Sequence, residues 1–282
     1  MTDARCSDLS RAAGETLAAT ATTAEHWLLV EVRGGWSRDV GRSEALPGLA
    51  REAVSDWLGS TPGSRLLFLR RPSRTAGPSL AFVARAPESG GTVRRFELDT
   101  LEDLGRVDLE RGGDASGRPL VLVCGHGSRD ACCALRGTAV FGALAPALAE
   151  EELWISSHHG GHRFSANVLV LPDALQLGRV EPEEATRIVS SALEGTIELD
   201  RYRGRTCYEA SVQAAEHAVR VSTGLDGVGD LRLLGVAGEA VRFADASGVE
   251  HVAEVEEVSG PSVPVSCGTD PEPQPTFVAR LR

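Results

Sequence analysis

The chain has 282 residues, a formal charge of −11 and an apolar share of 42%. Those values fit one large domain or two ordinary ones with a buried core, and they exclude a disordered chain. The acidic balance excludes nonspecific nucleic-acid binding, which rests on neutralising phosphates. All 29 basic residues are arginine and there is one methionine. That bias reads as the mark of a GC-rich genome rather than of an arginine-driven function. No apolar run approaches the roughly 20 residues that span a bilayer. Residues 1–23 lack the basic-then-apolar pattern of a secretory leader. The expected compartment is the cytoplasm, without membrane association, where thiols stay reduced. The six cysteines are therefore read as ligands, reactive thiols or small core residues rather than as a disulfide frame.

Residues 1–23 are small and polar and are expected to form a flexible N-terminus. An N-terminal α/β region follows over 24–107. It opens with an apolar strand over 27–32, stopped by Gly34 and Gly35. A helix is predicted over 44–58, with Leu46, Leu49, Ala53, Val54, Trp57 and Leu58 on one face. Strands over 65–70 and 80–86 come next, then a charged alternating strand over 93–98. Residues 108–118 are polar and glycine-rich and read as a loop or boundary.

The next unit spans 119–197. Its first strand, 119–123, is a short continuous apolar run, the pattern of a strand buried on both faces. Asp130 is a good N-cap for a helix whose apolar face holds Gly137, Val140, Phe141, Leu144 and Leu148. A strand over 153–157 precedes a hairpin, 167–171 and 175–180, around Pro172 and Asp173. Pro182 opens a second helix and Gly195 closes it. The order β-α-β-β-α is that of a thioredoxin-like unit. Residues 198–282 read as a helix over 208–221, short strands over 231–236, 240–244 and 249–258, and an extended arm over the Pro- and Gly-rich 260–275. Nothing repeats at a fixed period. The predicted class is α/β, with a small C-terminal α+β extension.

The residues that carry chemistry cluster in 124–162. Cys124 ends the buried strand, Cys132 and Cys133 stand at the helix start, and His158, His159 and His162 follow the next strand. Both groups fall at the carboxyl edge of the predicted sheet, where α/β folds form ligand sites. Two thiolates with two imidazoles suit zinc, iron–sulfur or copper. Arg129 and Arg163 stand beside these residues as tuning or docking groups, or as plain surface charge. Cys6, Cys207 and Cys267 are scattered and read as structural.

Cys124-x8-Cys133 followed by His158-x-Gly160-Gly161-His162 resembles the sucrase/ferredoxin-like family. The stretch Val123 to Gly127, the pair Arg129-Asp130, and the run His162 to Val168 agree with it, as does Gln213-Ala214-Ala215-Glu216 downstream. The resemblance implies a thioredoxin-like ferredoxin domain, with a [2Fe–2S] cluster held by Cys124, Cys133, His158 and His162. It implies an electron-transfer protein whose one-electron redox couples to protonation of the ligand histidines, as reduction adds negative charge. An unidentified reductase and acceptor would complete the chain of transfer. Two alternatives stand beside it: a structural or regulatory zinc site with the same four ligands, and a thiol redox protein. Glycosidase activity is not supported, because no placed carboxylate pair stands out.

Overall fold

The computed structural model describes residues 4–42, 44–71 and 77–282. Residues 1–3 of the expected flexible N-terminus lie outside them. The rest of that segment is not loose. It holds a helix α1 (Cys6–Ala12) whose Cys6, Ser7 and Ser10 are buried. The small polar residues that suggested flexibility are what lets this helix pack closely.

The first α/β unit comprises β1 (His26–Glu31), α2 (Gly48–Ser60), β2 (Ser64–Arg70), β3 (Ser79–Arg85), β4 (Thr92–Leu98) and the short edge strand β5 (Asp114–Ser116). β1 runs parallel to β2 and antiparallel to β3, and β4 is antiparallel to β3. The second unit comprises β6 (Leu120–Cys124), α3 (Ala131–Leu144), β7 (Leu153–Ser156), β8 (Val168–Leu171), β9 (Leu175–Leu177), α4 (Pro182–Leu193) and β10 (Tyr202–Arg205). β6 runs parallel to β7 and antiparallel to β8, and β9 is antiparallel to β8. The two units therefore share one strand order. They join where β2 pairs antiparallel with β7, Leu69 opposite Ser156, to give a single ten-stranded sheet.

Alternation along each strand sorts the core into two faces. Val121 and Val123 of β6 pack with Val140, Phe141 and Leu144 of α3 and with Ile188 and Val189 of α4. Leu28 and Val30 of β1 likewise pack with Val54 and Trp57 of α2. The opposite face carries one continuous core from both units, including Trp27, Leu29, Leu120, Leu122 and Trp154. The sheet curls around that core. Phe82 of β3 meets Trp154 of β7 edge-on at 5.6 Å between ring centroids. Arg205 of β10 donates to the carbonyls of Pro87 and Glu88. Burial on both faces explains why β6 reads as an unbroken apolar run.

A second, four-stranded antiparallel sheet follows: β11 (Leu231–Ala237), β12 (Ala240–Asp245), β13 (Glu250–Pro264) and β14 (Pro271–Leu281), packed with α5 (Ala210–Thr223). The tail expected to be an extended arm is thus the end of β13, the turn after it and the start of β14. Its prolines suit those places. Pro271, Pro273 and Pro275 lie on the edge strand, and Pro261 lies inside a register shift between Ser259 and Ser262.

Candidate metal centre

Cys124 is the last residue of β6 and is buried. α3 packs so closely on that strand end that a Cβ on Gly137 would fall 2.0 Å from the Cys124 carbonyl oxygen. Asp130 caps α3 as the sequence predicts, its Oδ1 accepting from the Cys132 amide at 2.8 Å. The first turn of α3 then carries Cys133 to the Cys124 thiol. The chain leaving β7 brings His158 to both. Its Nδ1 lies 3.7 Å from Cys124 Sγ and 3.8 Å from Cys133 Sγ. The three donor atoms lie within 4.8 Å of one another, and this group could hold a metal ion. His162 is not part of that trio, but its ring lies 4.4 Å from that of His158, centroid to centroid. Its Nδ1 is buried and lacks a hydrogen-bond partner.

The loop that presents both histidines is held by buried polar groups. Arg203 donates to the Gly160 carbonyl at 3.0 Å and to Asn167 Oδ1 at 2.8 Å. Asn167 in turn donates to the Gly161 carbonyl at 2.9 Å. Thr22 and Gln176 both donate to the His159 carbonyl. Gly160 and Gly161 have φ of +103° and +69°. A Cβ on Gly161 would also meet Arg203 Nη2 at 2.5 Å, so glycine is required there twice over. Burial lowers the Arg203 guanidinium to about 9. It stays charged at neutral pH beside the carbonyls it grips.

The thiols share a proton unequally. A hydrogen bond from Cys133, and then His158, hold Cys124 well below the usual thiol range, against the upward push of burial. The same bond to Cys124, together with burial, holds Cys133 well above it. Burial lowers His162 to about 4, so it is a neutral imidazole at physiological pH. A soft metal binds the thiolate and the neutral imidazole as they stand and displaces the proton of the thiol.

The neighbours take other roles. His126 Nδ1 accepts from the His158 amide at 3.2 Å, and its other nitrogen meets the Ser37 carbonyl at 2.9 Å. It positions the His158 backbone. His159 turns into the interior, where Gln176 Nε2 reaches its Nδ1 at 2.9 Å. Arg163 pairs with Glu15, 2.8 Å from Oε1, and stacks on Phe164. It ties the N-terminal segment down rather than facing solvent. Arg129 lines a surface cleft of about 380 Å³ together with Arg38, Arg65, His126 and His158, so His158 is the open side of the centre. Gln213 and Glu216, from the downstream motif, are buried and structural. Gln213 Nε2 donates to the carbonyls of Ala21, Arg205 and Tyr208, and Glu216 binds Tyr202 and Arg220. Cys132 points away from Cys133. It does not pack as a plain apolar residue but meets Cys6 and Cys267.

The profile of the family described as sucrase/ferredoxin-like matches residues 17–204, well over half of the chain. The chain belongs to that family. Similar curated proteins carry the name Altered inheritance of mitochondria protein 32. The one from Meyerozyma guilliermondii is 36% identical over 151 residues, covering 48% of this chain and 54% of that protein. The one from Eremothecium gossypii is 37% identical over 106 residues, covering 33% of this chain and 34% of that protein. The matched part thus spans about half or less of those relatives. No solved structure matches.

The expectation of a [2Fe–2S] electron carrier is corrected by these findings. The relatives' name concerns the inheritance of mitochondria and names no electron carrier. The coarser statement stands: a cysteine–histidine group in this family member could hold a metal. Among the described residues no helix is long and apolar enough to cross a membrane.

Proposed function

We propose that this member of the sucrase/ferredoxin-like family is a metal-binding protein, with Cys124, Cys133, His158 and His162 as the ligands of a thiophilic metal ion such as zinc. One observation carries the reading. Two thiols and an imidazole from three separate segments converge within 4.8 Å, the thiols buried and His158 at the open side. Spacings of 3.7 and 3.8 Å suit adjacent corners of one coordination tetrahedron, given bonds of about 2.3 Å to sulfur and about 2.0–2.1 Å to nitrogen. The buried, partnerless Nδ1 of His162 supports a fourth ligand from that side. The strand order β7-β6-β8-β9 with α3 between the parallel pair supports a thioredoxin-like reading of this unit.

Metal analysis of the purified chain, grown with zinc and iron both supplied, tests the reading. Bound metal should fall by one centre's worth in Cys124→Ser and in Cys133→Ser. Wild-type protein whose metal content is unmoved by either substitution would leave the thiol redox alternative, with Cys124 as the reactive thiolate.

A further inference from the structure

A second group of soft donors lies on the other side of the α3 N-terminus. Cys6 comes from α1, Cys132 from α3, and Cys267 from the turn between β13 and β14. Their sulfurs form a nearly equilateral triangle, with sides of 3.5 Å (Cys6–Cys132), 3.4 Å (Cys132–Cys267) and 3.6 Å (Cys6–Cys267). Asp130 Oδ1 stands over the triangle, 3.3 Å from Cys267 Sγ and 3.8 Å from Cys6 Sγ. All four donor atoms fall within 4.8 Å of one another.

We propose that Cys6, Cys132, Cys267 and Asp130 form a second, structural zinc site that locks α1 and the turn between β13 and β14 onto α3. A tetrahedral ion with bonds of about 2.3 Å to sulfur sets its sulfurs about 3.8 Å apart. The sulfur triangle needs only a few tenths of an ångström of expansion to reach that. A disulfide would bond two of the three thiols and leave the third stranded beside them. A metal uses all three, and the carboxylate supplies the fourth corner.

The surroundings are built to hold such a site. The second oxygen of Asp130 accepts from the Cys267 amide at 2.8 Å and from Ser266 Oγ at 2.9 Å. Those bonds orient the carboxylate, as outer partners of metal ligands do. Ser7 Oγ donates to Cys132 Sγ at 3.3 Å and itself receives Arg136 Nε at 3.0 Å. Three thiolates and a carboxylate leave net negative charge after one Zn²⁺ binds. The positive end of the α3 dipole offsets part of it, while Arg136, which also pairs with Asp8, holds Ser7 in place. Binding releases the thiol protons to solvent. A structural role fits the places joined, because Cys6 and Cys267 are 261 residues apart.

The test uses the full chain carrying Cys124→Ser and Cys133→Ser, stripped by chelator and titrated with Co²⁺ under anaerobic conditions. One equivalent should bind with the sulfur-to-cobalt charge-transfer absorption of a thiolate site. Absence of binding, or binding without that absorption, overturns the proposal. Wild-type protein supplies a second reading that does not depend on the variant folding. As purified with zinc, Cys6, Cys132 and Cys267 should react with iodoacetamide on the order of tenfold more slowly than after chelation, because a coordinated thiolate is a poor nucleophile. Half-buried Cys207 lies outside both clusters and is the internal control. Equal rates before and after chelation, or a disulfide among the three in protein kept from air, also overturn the proposal. Retention of one cobalt by the variant while Cys124→Ser and Cys133→Ser leave wild-type metal content unmoved would support this site and reject the first.

Discussion

Cys132 and Cys133 are adjacent in the first turn of α3, yet their thiols enter two different clusters. Cys132 Sγ lies 3.5 Å from Cys6 Sγ, and Cys133 Sγ lies 3.8 Å from His158 Nδ1. Successive side chains on a helix point about 100° apart, given 3.6 residues per turn. One turn therefore serves two sites, and Asp130 caps the helix between them.

Substitution at these two positions should separate the centres. Cys133→Ser is expected to remove the metal at Cys124 and His158 while leaving Cys6 and Cys267 protected from alkylation. Cys132→Ser is expected to do the reverse. Metal content and a cysteine-by-cysteine alkylation map check both, and identical effects of the two variants would contradict the division.

The Arg203 clamp should matter to the fold and the centre together. Arg203→Met leaves the Gly160 carbonyl and Asn167 Oδ1 without their buried donor. Urea unfolding should show a loss of about 1–3 kcal/mol for each group left unsatisfied. Metal affinity should drop by roughly 10–100-fold, as when an outer partner of a ligand is removed. An unchanged affinity would mean that the loop holds its histidines without this clamp.

Gly137→Ala tests the contact that sets Cys124 against α3. The added methyl would meet the Cys124 carbonyl at 2.0 Å, so the helix must shift from β6. Overpacking of this kind costs about 1–3 kcal/mol or more. The shift should also weaken the metal, read by competition with a chelator. A variant with normal affinity would show that Cys133 does not depend on this packing.

Much of this was legible locally. The LVLVC run of β6, the Asp130 cap and Pro182 at the start of α4 each carry a short-range signal, and each element forms where expected. What was hidden depends on distant partners. α1 buries Cys6, Ser7 and Ser10 and so has no apolar stripe. β10 is buried along its length although two of its four residues are arginines, because Arg203 and Arg205 find buried carbonyls. The shared strand order of the two α/β units is a property of pairing alone, with no period in the sequence. Cys6 and Cys267 gave no motif because their partnership spans nearly the whole chain.

Stability should also carry a pH signature away from both centres. Burial, opposed by a hydrogen bond to Leu199, lowers His217 below its ordinary value. The unfolded chain, with an imidazole near 6.5, takes the proton first as pH falls. The contribution of neutral His217 is therefore complete above about 6.5 and is lost as pH falls from there toward the folded-state value. Unfolding of wild type and His217→Gln at pH 7.5 and 5.5 should show their difference shifting against the wild type at the lower pH. A difference independent of pH would contradict the assignment.

The most direct measurement is metal-edge X-ray absorption on the full chain carrying Cys6→Ser and Cys267→Ser, where only the Cys124 centre retains its ligands. A metal held there by Cys124, Cys133, His158 and His162 predicts two sulfur scatterers together with the multiple-scattering pattern of imidazole. A chain that binds no metal, or a first shell of oxygen and nitrogen without sulfur, would contradict it.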